Sequence, residues 1–228
     1  MRRRYAEYAT ARPATLAPKP ANLSFEQAAA APTSAATALA AVRDAGRVTA
    51  GQHVLVIGAS GGVGLFAVQI AKAFGAEVTG VCSTSKVELV RSVGADHILD
   101  YTQGDVGGDG QRYDVIIDTG GNRRLSQLRR SLSPRGTLVL VGGEGGGRWI
   151  GGALGRSLRA LALSPFVSQR LRMVVATVKR RDLEVLSELI EAGKVTPIID
   201  STYPLSGVPE AIRHLVDGRA HGKLAISV

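Results

Sequence analysis

The 228-residue sequence predicts an α/β protein built on a doubly wound parallel sheet, and three observations carry that expectation. His53-Val54-Leu55-Val56-Ile57 is a nearly continuous apolar run, the pattern of a strand buried on both faces. Gly58-Ala59-Ser60-Gly61-Gly62-Val63-Gly64 follows it directly, after which Val63, Phe66, Ala67, Ile70, Ala71 and Phe74 recur at helical spacing until Gly75. Beyond Glu77 strand-like and helix-like segments keep alternating, with neither a sequence repeat nor a low-complexity linker, which is the order of successive βαβ units.

Ahead of the first strand, Ser24 and Gln27 have capping-box spacing and open a short Ala-rich helix that Pro32 ends, before a second helix runs to about Gly46. Glu77 to Val81 reads as the second strand. Ser85 with Glu88 starts a helix that ends at Gly94, and strands follow at His97 to Leu99 and Tyr113 to Asp118. Helix Arg123 to Leu132 leads to strand Thr137 to Val141. After a glycine-rich turn from Gly142 to Gly147 the chain is basic and irregular as far as Gln169, and Met173 to Val178 reads as a further strand. In the helix Arg181 to Ala192, Leu183, Leu186, Leu189 and Ile190 share one face while Glu184, Glu188 and Glu191 take the other. A strand, a helix and a strand then run to Val228.

Composition narrows the classes of function. The single cysteine, Cys82, forbids an intramolecular disulfide, and no Cys/His cluster has metal-ligand spacing, so no metal site is expected. Cys82 reads as a small buried residue at a strand end, or else as a thiol beside a ligand. The four histidines are scattered, none beside Cys82 or a serine in a nucleophilic motif. No apolar stretch is long enough for a membrane span, and the start rich in arginine (Arg2, Arg3, Arg4, Arg12) is broken by Pro13, Pro18 and Pro20; a cytoplasmic protein is the expectation. Net charge is +9, and thirteen Lys/Arg between Thr119 and Arg181 face only Glu144, so that segment carries +12. An anionic partner or merely solvated helix faces would both explain it. Aromatic residues at 4% and the lack of any nucleic-acid motif beside the arginines speak against a nucleic-acid partner.

A glycine-rich turn between a buried strand and a helix lets backbone N–H groups and the helix dipole meet a pyrophosphate. Gly58, Ser60, Gly61, Gly62, Val63 and Gly64 occupy that context and are the candidate residues, although the spacing is G-x-x-G-x-x-G rather than G-x-G-x-x-G. No Gly-Lys-Ser/Thr follows, which rejects a nucleoside-triphosphate loop. About 20 residues on, a carboxylate would select NAD. The second strand instead ends in Cys82-Ser83-Thr84-Ser85-Lys86, where Ser83 and Lys86 offer a hydroxyl and a cation to the ribose phosphate of NADPH.

Gln52 to Gly64 and Gly94-Ala95-Asp96-His97-Ile98-Leu99-Asp100-Tyr101 together resemble the medium-chain dehydrogenase/reductase superfamily, in its zinc-free quinone oxidoreductase branch. Tyr113 to Gly121, Gly193-Lys194-Val195-Thr196-Pro197 and His221-Gly222-Lys223-Leu224 extend the resemblance over nearly the whole chain. It implies a Rossmann-type sheet, with Lys86, Tyr101 and Ser83 at the ribose phosphate, Thr37 and Lys223 toward the nicotinamide, and Val141 and Gly142 passing under that ring. Each also has a plainer role: Tyr101 as cover for the sheet edge, Thr37 as helix packing, Lys223 as a solvated strand residue.

By the same resemblance, residues 1–31 would be the remnant of a GroES-like β-barrel substrate domain, 32–196 the dinucleotide domain, and 197–228 a segment returning to the barrel. Most of that barrel has no counterpart here, and no catalytic residue is carried over. The expected activity is zinc-independent hydride transfer from NADPH to a quinone or enone, with a homodimer through the sheet edge. The alternative is an NADPH-binding module without turnover of its own.

Overall fold

The computed structural model of the chain describes residues 6–104, 110–121, 123–141, 168–175 and 177–228. Six strands, β1 (His53–Ile57), β2 (Glu77–Cys82), β3 (His97–Asp100), β4 (Tyr113–Asp118), β5 (Leu132–Val141) and β6 (Arg170–Val174), form one sheet in the order β3-β2-β1-β4-β5-β6. Every neighbouring pair is parallel. The chain therefore builds outward from β1 through β2 to β3, then crosses back to lay β4, β5 and β6 on the other side. The reversal between β1 and β4 is the topological switch point of a Rossmann-type sheet.

The apolar runs bury both faces because successive side chains alternate sides. Val54, Val56, Val115, Ile117, Val139 and Val141 point into one core, with α3 (Gly64–Ala73) and α6 (Arg180–Glu191) supplying Phe66, Ile70, Leu186 and Ile190. Leu55, Ile57, Ile116, Leu138 and Leu140 point into the other, under α5 (Leu125–Arg130) and its Leu128. The predicted capping box starts α1 (Phe25–Ala30): Ser24 Oγ accepts from Gln27 N–H at 3.2 Å, and Gln27 Oε1 accepts from Ser24 N–H at 3.0 Å. Pro32 then opens α2 (Pro32–Leu39), which continues as a π-helical turn over Ala40–Ala45 and packs on α3 and α6.

Three boundaries differ from the sequence expectation. Ser85 does not cap the fourth helix: Thr84–Lys86 form a 3-10 turn, α4 (Val87–Ser92) starts after it, and Glu88 pairs with Arg91 instead of reaching back. β5 begins at Leu132 rather than Thr137, because Leu132 pairs with Tyr113 across a register shift before Val115. β6 lies three residues earlier than expected, since Leu171 and Val174 are the buried positions once Thr137 pairs with Arg170. The glycine turn from 142 to 147 and the basic stretch through 167 lie outside the described residues.

The remaining strands do not join the large sheet. β7 (Ile199–Pro204) and β8 (Lys223–Ser227), linked by α7 (Val208–Val216), form a separate parallel pair packed against α1.

Candidate functional site

The site is organised by the turn that leaves β1. Gly58 has φ +76°, and a Cβ there would lie 2.6 Å from Thr119 Oγ1. That hydroxyl, at the end of β4, donates to the carbonyls of Ile57 at 2.8 Å and Gly58 at 3.2 Å, so the two strands flanking the switch point are clasped at their carboxyl ends. Beside it the fully buried Asp118 accepts from the N–H groups of Gly120 and Gly121, both at 3.1 Å. Gly61 N–H closes the turn onto Gly58 O at 3.0 Å, with Ser60 half-buried at its tip. Val63 sits at the N-cap of α3. A Cβ on Gly64 would fall 2.0 Å from Gly58 O, so only glycine lets α3 start this close to the strand it follows.

At the end of β2 the chain enters the Thr84–Lys86 turn. Thr84 Oγ1 donates to Asp100 Oδ2 at 2.5 Å, and Thr102 donates to Asp100 Oδ1 through its N–H at 2.9 Å and its hydroxyl at 2.7 Å. The Thr84 hydrogen bond leads the causes that hold the Asp100 carboxyl below its ordinary range. Ser83 Oγ lies 3.4 Å from Ser85 Oγ. Lys86 is buried, and its ammonium donates to the carbonyls of Arg219 at 3.1 Å and Ala220 at 2.6 Å. Burial lowers its pKa, against an opposing pull from Asp200. Tyr101 stands half-exposed on the same edge, its N–H bonded to Cys82 O at 3.1 Å. Cys82 itself is buried, and burial followed by the Asp100 charge pushes its thiol up, the opposite of an activated thiolate.

The third part comes from far along the chain. Lys223 opens β8, and its Nζ donates to Ser34 Oγ of α2 at 2.9 Å. The same Nζ lies 2.9 Å from where a Cβ on Gly62 would be, so the lysine lies against the glycine turn in the space a side chain at 62 would fill. Thr37 is one turn beyond Ser34 on α2, with its hydroxyl donating to Thr33 O at 2.7 Å. Val141 is buried at the end of β5, and Gly142 lies outside the described residues.

The structure thus brings Gly58, Ser60, Gly61, Gly62, Val63, Gly64 and Lys223 into one cluster, and Ser83, Lys86 and Tyr101 into a second at the neighbouring strand end. Sequence reasoning missed Ser34, the clasp made by Thr119, and Asp100. The last was findable, because the His97 to Asp100 strand next to β2 puts an acid level with Cys82. Among the described residues no three His, Cys, Asp or Glu side chains gather as metal ligands, and no helix is long and apolar enough to cross a membrane.

The arrangement fits a dinucleotide. A backbone turn ahead of a helix is where a pyrophosphate docks, and two cations, Lys86 and Lys223, stand at separate points beside it.

Comparison with known proteins supports the same picture. A family model described as zinc-binding dehydrogenase matches residues 93–226. NAD(P)H oxidoreductase RTN4IP1, mitochondrial, of Mus musculus is 36% identical over 231 residues, covering 92% of this chain and 57% of that protein. NADPH-dependent alkenal/one oxidoreductase, chloroplastic, of Arabidopsis thaliana is 34% identical over 229 residues, covering 97% of this chain and 52% of that one. The solved quinone oxidoreductase from Coxiella burnetii superposes with a TM-score of 0.78 at 28% identity, covering 92% of this chain and 63% of that structure. The chain spans little more than half the length of the two curated relatives.

Proposed function

Since the chain belongs to the zinc-binding dehydrogenase family of the medium-chain dehydrogenase/reductase superfamily, we propose that it is an NADPH-dependent oxidoreductase that reduces a quinone or conjugated carbonyl without zinc. The observation that carries this reading is the Gly58–Gly64 turn at the switch point, with Lys223 lying on Gly62 and Lys86 at the end of β2. When bound, the nicotinamide supplies the hydride. The chain's own residues bind and orient. Backbone N–H groups of the turn and the start of α3 face the pyrophosphate, Ser83 and Lys86 face the ribose phosphate, and Tyr101 covers that end. Thr37, Lys223 and Val141 are assigned to the nicotinamide end, as is Gly142, which lies outside the described residues.

Two features support NADPH over NADH. β2 ends in Ser83 and Lys86 rather than an acid, and the Asp100 carboxylate one strand over is already occupied by Thr84 and Thr102. Zinc independence belongs to the same reading: without a metal to polarise a carbonyl, an acceptor that is already electrophilic is the suitable substrate. We further assign 32–196 to the dinucleotide domain and 1–31 with 197–228 to a substrate domain, supported by the separate β7–β8 pair packed on α1. Among the described strands β6 is an open edge, with Met173 exposed on it and Val175 exposed just beyond its end, which supports a homodimer through that edge.

A second reading, a dinucleotide-binding module without turnover, draws on the share of its relatives that the chain spans. Fluorescence titration with NADPH and NADH, followed by turnover assays with a quinone and an enone, separates the two. Saturable binding that prefers NADPH, with consumption of either acceptor, is the expected result. Binding without turnover would leave the module, and no binding of either cofactor would remove the dinucleotide assignment.

A further inference from the structure

We infer that the chain carries a second anion site, a cavity beside β6 that takes a small phosphate monoester and is separate from the dinucleotide crevice. The cavity, of about 390 Å³, lies between β6, the π-helical turn that continues α2 and the start of α6, and its volume is in the range of small-molecule sites. Three cations from three different segments line it: Arg47 after the helical turn, Arg172 on β6 and Lys179 just ahead of α6. Asp44 and Asp182 line it too, and both are taken by Arg43. The Arg43 guanidinium donates to the two Asp44 oxygens at 2.6 and 2.8 Å and to Asp182 Oδ1 at 2.8 Å. Arg47, Arg172 and Lys179 form no salt bridge among the described residues, so the cavity keeps a surplus of positive charge. The Arg43 hydrogen bond leads the causes that hold the Asp44 carboxyl below its ordinary range, and the charges of Lys179 and Arg181 add to it.

Arg47 is the informative member. It has φ +51°, the left-handed value at which helices commonly end, and among the described residues it is the one non-glycine with a positive φ. Glycine takes such a position without strain, as Gly51, Gly75 and Gly94 do elsewhere in the chain. An arginine there costs stability, and its exposed side chain has no hydrogen bond or salt bridge among the described residues to offset that. The chemistry of the lining selects the ligand. Two guanidinium forks and an ammonium match a dianion with several oxygens, as a phosphoryl group is. No side chain caps the N-terminal end of α6 at Lys179, so the helix dipole adds to the same field. Ala40, Ala45 and Met173 supply an apolar wall for the organic part of an ester. Neither the glycine turn nor Lys86 takes part, because β1, β4 and β5 separate β2 from β6 in the sheet. Arg172 and Lys179 belong to the basic stretch between Thr119 and Arg181, to which this site gives an anionic partner.

The test is calorimetric titration of the full chain with phenyl phosphate, inorganic phosphate and benzoate, each with and without saturating NADPH. Phenyl phosphate is expected to bind with NADPH present. It should bind more tightly than inorganic phosphate, which lacks the apolar body, and than benzoate, which carries a single charge. Arg172→Gln and Lys179→Gln are each expected to weaken it by roughly 10-fold. Arg47→Gly is expected to weaken it similarly while leaving the urea midpoint at or above the wild-type value, because the strain leaves with the side chain. Weaker binding without lower stability keeps a folding defect from passing for a lost ligand contact. NADPH affinity, read by fluorescence, should stay within about 2-fold in all three variants, the sites being independent. If NADPH displaces phenyl phosphate, or if the variants lose NADPH affinity in parallel, the cations belong to the dinucleotide crevice and the inference is overturned. It is equally overturned if the wild type does not bind phenyl phosphate, or if all three variants bind it as the wild type does.

Discussion

The Thr84 hydroxyl donates to Asp100 at 2.5 Å, tying the turn that carries Lys86 to the end of the neighbouring strand. Through Asp100, whose other oxygen is held by Thr102, the end of β2 is fixed to the segment that follows β3. The turn that carries Lys86 is thus held by a network whose members lie up to 18 residues apart.

If Lys86 reads the ribose phosphate, replacing it should change selectivity more than affinity in general. Lys86→Met is expected to lower NADPH affinity roughly 10-fold while NADH changes by less than about 2-fold, in paired fluorescence titrations. An equal loss for both cofactors would mean that the residue only anchors the carbonyls of Arg219 and Ala220.

Gly64→Ala tests the close approach of α3 to β1. A methyl group 2.0 Å from Gly58 O meets backbone that cannot swing aside, so helix or turn must shift. We expect a loss of roughly 1–3 kcal/mol, read as a lower urea midpoint at unchanged slope, together with weaker binding of both cofactors. An unchanged midpoint would show that α3 can shift freely.

Asp96 predicts the acid side of the stability profile. Burial raises its carboxyl, but hydrogen bonds from Lys72 and from Val78 N–H at 2.7 Å outweigh that and hold it below the ordinary range. A carboxyl depressed by folding adds stability that is complete above its unfolded value, about pH 4, and is lost as pH falls through the lower folded value. Asp96→Asn should cost on the order of 1 kcal/mol at neutral pH, the group being one-third exposed, and the gap to wild type should narrow as pH falls below about 4. A gap that stays constant with pH would assign the cost to packing.

The open edge of β6 makes a claim about assembly. Val175 is 80% exposed beside Met173, and Val175→Lys would put a charge into any pairing of that edge with a second copy. Sedimentation should show a dimer for the wild type and a monomer for the variant. A monomeric wild type would rule the edge out as an interface.

The first βαβ unit was readable because its information is local. The apolar run at 53–57, the glycine turn and the period of α3 sit within about one helix length of each other, and all three elements stand where the pattern put them. Ser85 is not the helix start its spacing suggests, because the turn is held through Thr84 by Asp100, on a different strand. The start of β6 depended on pairing with Thr137, which no local pattern contains. Ser34 was out of reach for the same reason at a larger scale, since the hydroxyl that holds Lys223 is separated from it by 189 positions. Gly142, at the expected nicotinamide end, lies outside the described residues.

That separation has a consequence for how the protein is made. A chain synthesised from its N-terminus has all six strands of the large sheet available for pairing before Lys223 leaves the ribosome. The glycine turn can then be complete in shape while still lacking the ammonium that lies on Gly62. A growing chain thus presents an unfilled backbone nest first and acquires the lysine only when β8 pairs with β7. Ribosome-bound intermediates should already hold the sheet while still lacking that contact.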